Sequence, residues 1–320
     1  MKVKIIWLIC GLVVFILVWQ LIVTTNVIFH AKTSLAKKIA GESLNLPQPD
    51  KKALVRPPEK SSEARDPQIA AKIAILIDVD SAYVMFEKEA DEKVPVASTT
   101  KIMTALVVLE DFGDKLNETV TITYPMVAVE GSDIKLIPGE KISVEYLLKG
   151  LLIMSGNDTA FALALHFGGK EDFVSRMNAK ARQLGLENTH FADPAGLDDE
   201  GFSTARELAI LGTYAMRNQN FRQIVKTTDT LITSADGAIT HELKSSNRLL
   251  KTAESFFYPW AIGIKTGFTN EAGHCLVSAA EKEDHEILGV ILYTYENSIY
   301  ASARESRKLL DWGFANWTWD

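Results

Sequence analysis

Pro95-Val-Ala-Ser-Thr-Thr-Lys-Ile-Met-Thr-Ala-Leu-Val-Val-Leu-Glu-Asp111 is the stretch around which the rest of the chain must fold. From Ile102 to Leu109 only Thr104 interrupts the apolar residues, so a helix here is apolar nearly all round and belongs inside the molecule. Pro95 sits just ahead of the expected first turn, and residues three apart share a helix face. Ser98 and Lys101 should therefore project together from a buried N-terminus. A serine hydroxyl is a poor nucleophile until something takes its proton, and a lysine in a desolvated pocket can take it, because burial disfavours the charged amine. The same spacing also fits an N-cap serine followed by an ordinary first-turn lysine. On this stretch alone that blander reading is the better one.

Composition sets the bounds. With 320 residues and 47% hydrophobic content the chain can bury a full core. His30, His166, His190, His241, His274 and His285 form no pair at metal-ligand spacing, so neither a metal nor another cofactor is expected. Cys10 lies in an N-terminal apolar run and Cys275 deep in the remaining chain, which argues against a structural disulfide and makes Cys275 a small core residue.

After Lys2 and Lys4 an uncharged run extends from Ile5 to Phe29, long enough to cross a bilayer as a helix. A cleaved signal peptide is the competing reading. Its apolar region should be shorter, and the only fair cleavage site, Ser34-Leu35-Ala36, lies past the run. The expectation is an uncleaved single-pass anchor over residues 1–30, in the cell membrane, with the folded part outside the cytoplasm. Residues 31–66 hold four prolines, many charges and no sustained period, the composition of a solvated tether. Residues 1–66 carry ten Lys/Arg against five Asp/Glu, a net +5 that leaves −12 for the remainder. An acidic domain on a basic stalk fits a stalk lying against anionic lipid and argues against nucleic acid as a partner.

The folded part is expected over residues 67–316. Ile73–Val79 and Ala82–Phe86 read as a hairpin. A short strand is expected at Val120–Ile122, and helices at Ile142–Met154, Asp158–Phe167 and Glu171–Leu184, with Ser155-Gly156-Asn157 as a turn between the first two. Thr204 and Glu207 look like a capping box opening a helix through Met216. Trp260–Ile264, His274–Ala280 and Glu286–Thr294 read as strands, and Ser298–Phe314 as a closing helix. The fold class implied is α+β: an antiparallel sheet drawn from both ends of the domain, flanked by terminal helices, with an all-helical insertion from about residue 100 to 250.

Three motifs stand in order: Ser98-x-x-Lys101, Ser155-Gly156-Asn157, and Lys265-Thr266-Gly267 at the end of a strand. Each has a bland reading, as a cap, a turn and a strand terminus. Together they resemble the penicilloyl-serine transferase superfamily, with its Ser-x-x-Lys, Ser-x-Asn and Lys-Thr-Gly. The wider context resembles the low-molecular-mass penicillin-binding proteins that act as serine-type D-alanyl-D-alanine carboxypeptidases. That resemblance rests further on Pro138-Gly-Glu-Lys-Ile-Ser143, Phe191-Ala-Asp-Pro-Ala-Gly-Leu197 and Leu310-Asp-Trp-Gly-Phe314. It implies a serine β-lactamase-like fold, peptidoglycan stem peptides as substrates and β-lactams as inhibitors. It also implies roles: Ser98 as nucleophile, Lys101 as general base, Ser155 as proton relay and Asn157 holding the substrate amide. Lys265 and Thr266 would receive the terminal carboxylate, and Gly267 would leave room beside an oxyanion held by the N–H groups of Ser98 and Phe268. A D,D-endopeptidase would use the same residues. A serine β-lactamase would usually carry Ser-Asp-Asn in the middle motif, and a receptor would need an intracellular effector domain, for which Met1–Lys4 leave no room.

Overall fold

The computed structural model describes residues 55–294 and 298–319. The expected anchor at Ile5–Phe29 and most of the expected tether lie outside the described residues. Among those described, no helix is long and apolar enough to cross a membrane.

A five-stranded antiparallel sheet is built from both ends of the folded unit: β1 (Ile73–Asp78), β2 (Val84–Lys88), β3 (Ala261–Thr269), β4 (Gly273–Lys282) and β5 (His285–Thr294). Its order is β3-β4-β5-β1-β2, which leaves β3 on an edge. The pleat explains the buried sequence of β1. Successive side chains point to opposite faces, so Ile73, Ile75 and Ile77 enter one core while Ala74 and Leu76 enter the other. The first core is shared with the helices of the middle of the chain. The second is covered by the closing helix, Ala301–Asn316 (α7).

The helix read as central is central. In α1 (Lys101–Asp111) every residue from Lys101 to Leu109 is buried. Around it lie α2 (Val144–Lys149), α3 (Asn157–His166), α4 (Lys170–Gln183), α5 (Ala205–Met216) and α6 (Gln219–Lys226). Thr204 caps α5 through a bond from Glu207 N to its hydroxyl at 3.1 Å. The expected capping box is only half made, because the Glu207 carboxylate turns instead to Asn188 and Thr189.

Four sequence expectations need correction. The insertion is not all-helical: Thr119–Thr121 pairs with Lys141–Ser143, and Asp229–Thr233 pairs with Thr240–Lys244. Ile142–Met154 is not one helix but the end of that first ribbon, then α2, then a π turn over Gly150–Met154. The tether ends before residue 66, since Glu59–Lys60 forms a strand with Trp317–Thr318 and Trp312 Nε1 donates to Arg65 O at 2.7 Å. Backbone pairing and an indole donor tie down a segment whose composition carries no period of its own. Finally, Lys265-Thr266-Gly267 lies in the middle of β3, not at a strand end.

Candidate active site

Ser98 sits in a single 3-10 turn, Ala97–Thr100, that opens α1, and no side chain caps this turn. The N-cap reading of Ser98 therefore fails. Its hydroxyl instead lies 2.8 Å from Lys101 Nζ. The same nitrogen donates to Asn157 Oδ1 and to Ala195 O, both at 2.7 Å. Those two oxygens accept and cannot donate, so two N–H bonds of Lys101 are committed and the remaining tetrahedral position faces Ser98 Oγ. Burial pulls the Lys101 amine down to about 7, against the opposing pull of Asp193 and Asp158. Near neutrality much of it is an amine with its lone pair aimed at the serine hydroxyl.

Ala195 O is held in place by Asp193, whose carboxylate accepts from the backbone N–H groups of Ala195, Gly196, Leu197 and Asp198 at 2.6 to 2.9 Å. Sequence reasoning quoted this Ala-Asp-Pro-Ala-Gly-Leu segment without giving Asp193 a task. An aspartate followed by proline and, three residues on, by glycine was the available sign of a carboxylate-organised turn.

The middle motif follows the π turn. Ser155 takes the left-handed conformation, φ 67°, which ends that turn and lets α3 begin at Asn157. Asn157 is gripped at both ends of its amide, Oδ1 by Lys101 and Nδ2 by donation to Glu130 O at 2.5 Å. Both groups that the sequence reading reserved for a substrate amide thus have protein partners.

The third motif uses the pleat of an edge strand. Lys265 turns inward, fully buried, and donates to Ser155 Oγ at 2.8 Å and to Thr266 O at 2.9 Å. Burial, with a smaller push from Lys101, holds its amine well below the usual lysine range. Thr266 turns the other way and its hydroxyl meets that of Ser246 at 2.7 Å. A Cβ added to Gly267 would sit 3.1 Å from both Ser98 N and Val96 O, so this position brings the strand up against the serine. Phe268 is half exposed, with its ring 4.5 Å from that of His274.

Ser98, Ser155, Asn157, Thr266, Gly267 and Phe268 all line one cleft of about 460 Å³, and the two lysines stand behind its wall. All eight residues singled out from the sequence are therefore brought together. Ser246 and Arg248 line the same cleft and were missed. Arg248 is paired with both oxygens of Glu254 at 2.6 and 2.7 Å. Both lie between the ribbon and β3, in a stretch with no motif or period to mark it.

The D-alanyl-D-alanine carboxypeptidase family model matches residues 60–295. A D-alanyl-D-alanine carboxypeptidase of Streptomyces sp. strain K15 is 36% identical over 265 residues, covering 78% of this chain and 89% of that protein. The carboxypeptidase DacF of Bacillus subtilis is 38% identical over 69% of this chain, a match that spans only 57% of the relative's length. A D-alanyl-D-alanine endopeptidase of Escherichia coli is 32% identical, over 79% of this chain and 80% of its own. Among solved structures, the Streptomyces K15 DD-transpeptidase superimposes with a TM-score of 0.73 at 35% identity, covering 79% of this chain and all of that one. Three motifs meeting in one cleft and a family match over most of the folded unit lead to one assignment: the chain belongs to the D-alanyl-D-alanine carboxypeptidase family of serine peptidases.

Proposed function

We propose that this protein removes the C-terminal D-alanine from peptidoglycan stem pentapeptides through an acyl-serine intermediate, and that β-lactams acylate the same serine. The observation that carries this reading is the Lys101 amine, fixed by two acceptors and aimed at Ser98 Oγ at 2.8 Å. Lys101 takes the Ser98 proton as the oxygen attacks the carbonyl of the penultimate D-alanine. The oxyanion lies between the N–H groups of Ser98 and Phe268. Ser155, hydrogen-bonded to Lys265, passes a proton to the departing D-alanine nitrogen, and the Thr266 hydroxyl receives the terminal carboxylate, whose negative charge favours the protonated form of the Lys265 amine behind it. Water then cleaves the ester and restores Ser98. The Ile5–Phe29 run supports attachment to the cell membrane with this unit outside the cytoplasm.

Residues 31–320 incubated with a stem pentapeptide should yield tetrapeptide and free D-alanine, identified by mass. Cleavage of a cross-linked dimer with the pentapeptide left intact would overturn the carboxypeptidase reading in favour of an endopeptidase.

A further inference from the structure

The loop between the single helical turn Tyr124–Val127 and the strand Lys141–Ser143 forms one wall of the cleft, and its backbone does most of the holding. Glu130 O accepts from Asn157 Nδ2 at 2.5 Å, and Ser132 O accepts from Asn157 N at 2.7 Å. Ile134 N and Leu136 N donate to the buried Asp158 carboxylate at 3.1 to 3.2 Å. The orientation of Asn157, and through it of the Lys101 amine, is thus no better defined than this loop.

At its C-terminal end the loop is bonded to Ile122, with Gly139 N donating to Ile122 O and Ile122 N donating to Glu140 O, both at 2.8 Å, and a buried side-chain pair ties that end to its middle. His241, on the ribbon strand Thr240–Lys244, places Nδ1 2.9 Å from Ile134 O and Nε2 2.7 Å from Glu140 Oε1. Glu140 Oε2 accepts from Ile137 N at 3.1 Å. The imidazole side chain is 6% exposed and the Glu140 side chain 0%. One ring therefore pins both halves of the loop, at residue 134 and at residue 140. It does so from a strand that continues directly to Ser246, the partner of Thr266. Ile134 O can only accept, so Nδ1 must carry a proton, and the contact between Nε2 and Oε1 needs one more. The bonding is complete with a single proton between that nitrogen and the carboxylate, and buried polar groups of this kind are costly when left unpaired.

We infer that His241 and Glu140 are positioning residues for acylation: they hold the 128–140 loop so that Asn157 keeps the Lys101 amine aimed at Ser98. This rests on the reading of Lys101 as the base that activates Ser98. Neither residue touches the cleft, so neither is a catalytic residue.

The geometry also selects its own control. In Glu140→Gln the amide oxygen can accept from Ile137 N while the amide nitrogen donates to an unprotonated Nε2, and Nδ1–H still donates to Ile134 O. Every bond survives without the extra proton. In His241→Phe the ring shape is roughly kept and both bonds are lost.

The test follows acylation of the full-length protein, purified in detergent, by a fluorescent penicillin in rapid mixing, which separates the initial binding constant from the acylation rate constant. Melting midpoints are taken alongside, and the rates are measured well below them. His241→Phe should lower the acylation rate constant by about tenfold to a hundredfold, with initial binding within about twofold of the parent. Glu140→Gln should stay within about threefold of the parent on both constants, and Glu140→Leu should behave like His241→Phe. A folded His241→Phe that acylates at the parental rate overturns the inference, as does a Glu140→Gln that is as slow as Glu140→Leu. A purely structural pair would lower the melting midpoints and leave the acylation rate constant of the folded protein unchanged. Failure of the underlying reading looks different: the parent itself would form no adduct, or Ser98→Ala would form one.

Discussion

The side-chain amide of Asn157 joins Lys101 to the wall of the cleft: its oxygen accepts from Lys101 Nζ at 2.7 Å while its nitrogen donates to Glu130 O at 2.5 Å. An amide held at both ends acts first on the lysine. It removes one rotational freedom of the amine, and being neutral it does nothing to stabilise the ammonium by charge.

Asn157→Asp should therefore disturb the pH dependence of acylation more than substrate binding. A carboxylate at hydrogen-bond distance favours the charged amine, and opposite charges this close typically shift a pKa by about 1 to 3 units. The midpoint of acylation by penicillin, followed against pH, should move upward by at least about one unit. An unmoved midpoint would mean that the amine is not the titrating group.

For the parent protein the sign runs the same way. The amine must be unprotonated to take the Ser98 proton, and burial holds its pKa near 7. The second-order acylation constant should fall about tenfold per pH unit below that value and level off above it. Lys101→Arg, which cannot lose its charge, should show no plateau and lose at least about a thousandfold.

Lys265→Ala tests carboxylate recognition. Charge-assisted hydrogen bonds contribute about 1.5 to 3 kcal/mol, so kcat/KM on a free-acid pentapeptide should fall about tenfold to a few hundredfold. The C-terminally amidated peptide already lacks that contribution and should suffer much less. Equal losses on both peptides would assign Lys265 to the Ser155 relay alone.

Gly267→Ala probes the approach of β3 to the serine. The new methyl would meet Ser98 N and Val96 O at 3.1 Å, and neither backbone atom can swing aside. Displacements of a few tenths of an ångström at a reacting serine should slow penicillin acylation by about tenfold or more. A rate unchanged in this variant would show that the strand and the serine turn separate freely.

The anchor is checked by fractionation. Protein in washed membranes should resist extraction by high salt and keep Lys2 and Lys4 at its N-terminus. A mature chain beginning near Lys37 would identify the apolar run as a cleaved signal.

What the sequence disclosed follows from how local each signal is. The buried helix announced itself because the apolar run from Ile102 to Leu109 has no polar face, and β1 because its first five residues, Ile73 to Ile77, are buried on both faces and read as one unbroken apolar run. Ser98, Lys101 and the Lys265-Thr266-Gly267 stretch were found as motifs. Ser246 and the His241–Glu140 pair were not, because their meaning comes from partners 20 and 101 residues away. Lys265 was placed at a strand end because Thr266 and Gly267 read locally as a turn. On the edge of a sheet, beside a serine turn, the same residues continue the strand.

The strand order has a consequence for how the protein comes into being. β1 emerges early, yet it lies between β2 and β5, and β5 is made more than two hundred residues later. The ribbon from Glu59–Lys60 to Trp317–Thr318 waits longer still. Until those last segments arrive, one side of β1 has no neighbour and α5 lacks a strand it packs against. Non-local pairing of this kind folds slowly and leaves apolar edges open in the meantime. The growing chain therefore has no complete cleft, and the ability to form an acyl-serine should appear all at once, when β5 and α7 close the sheet.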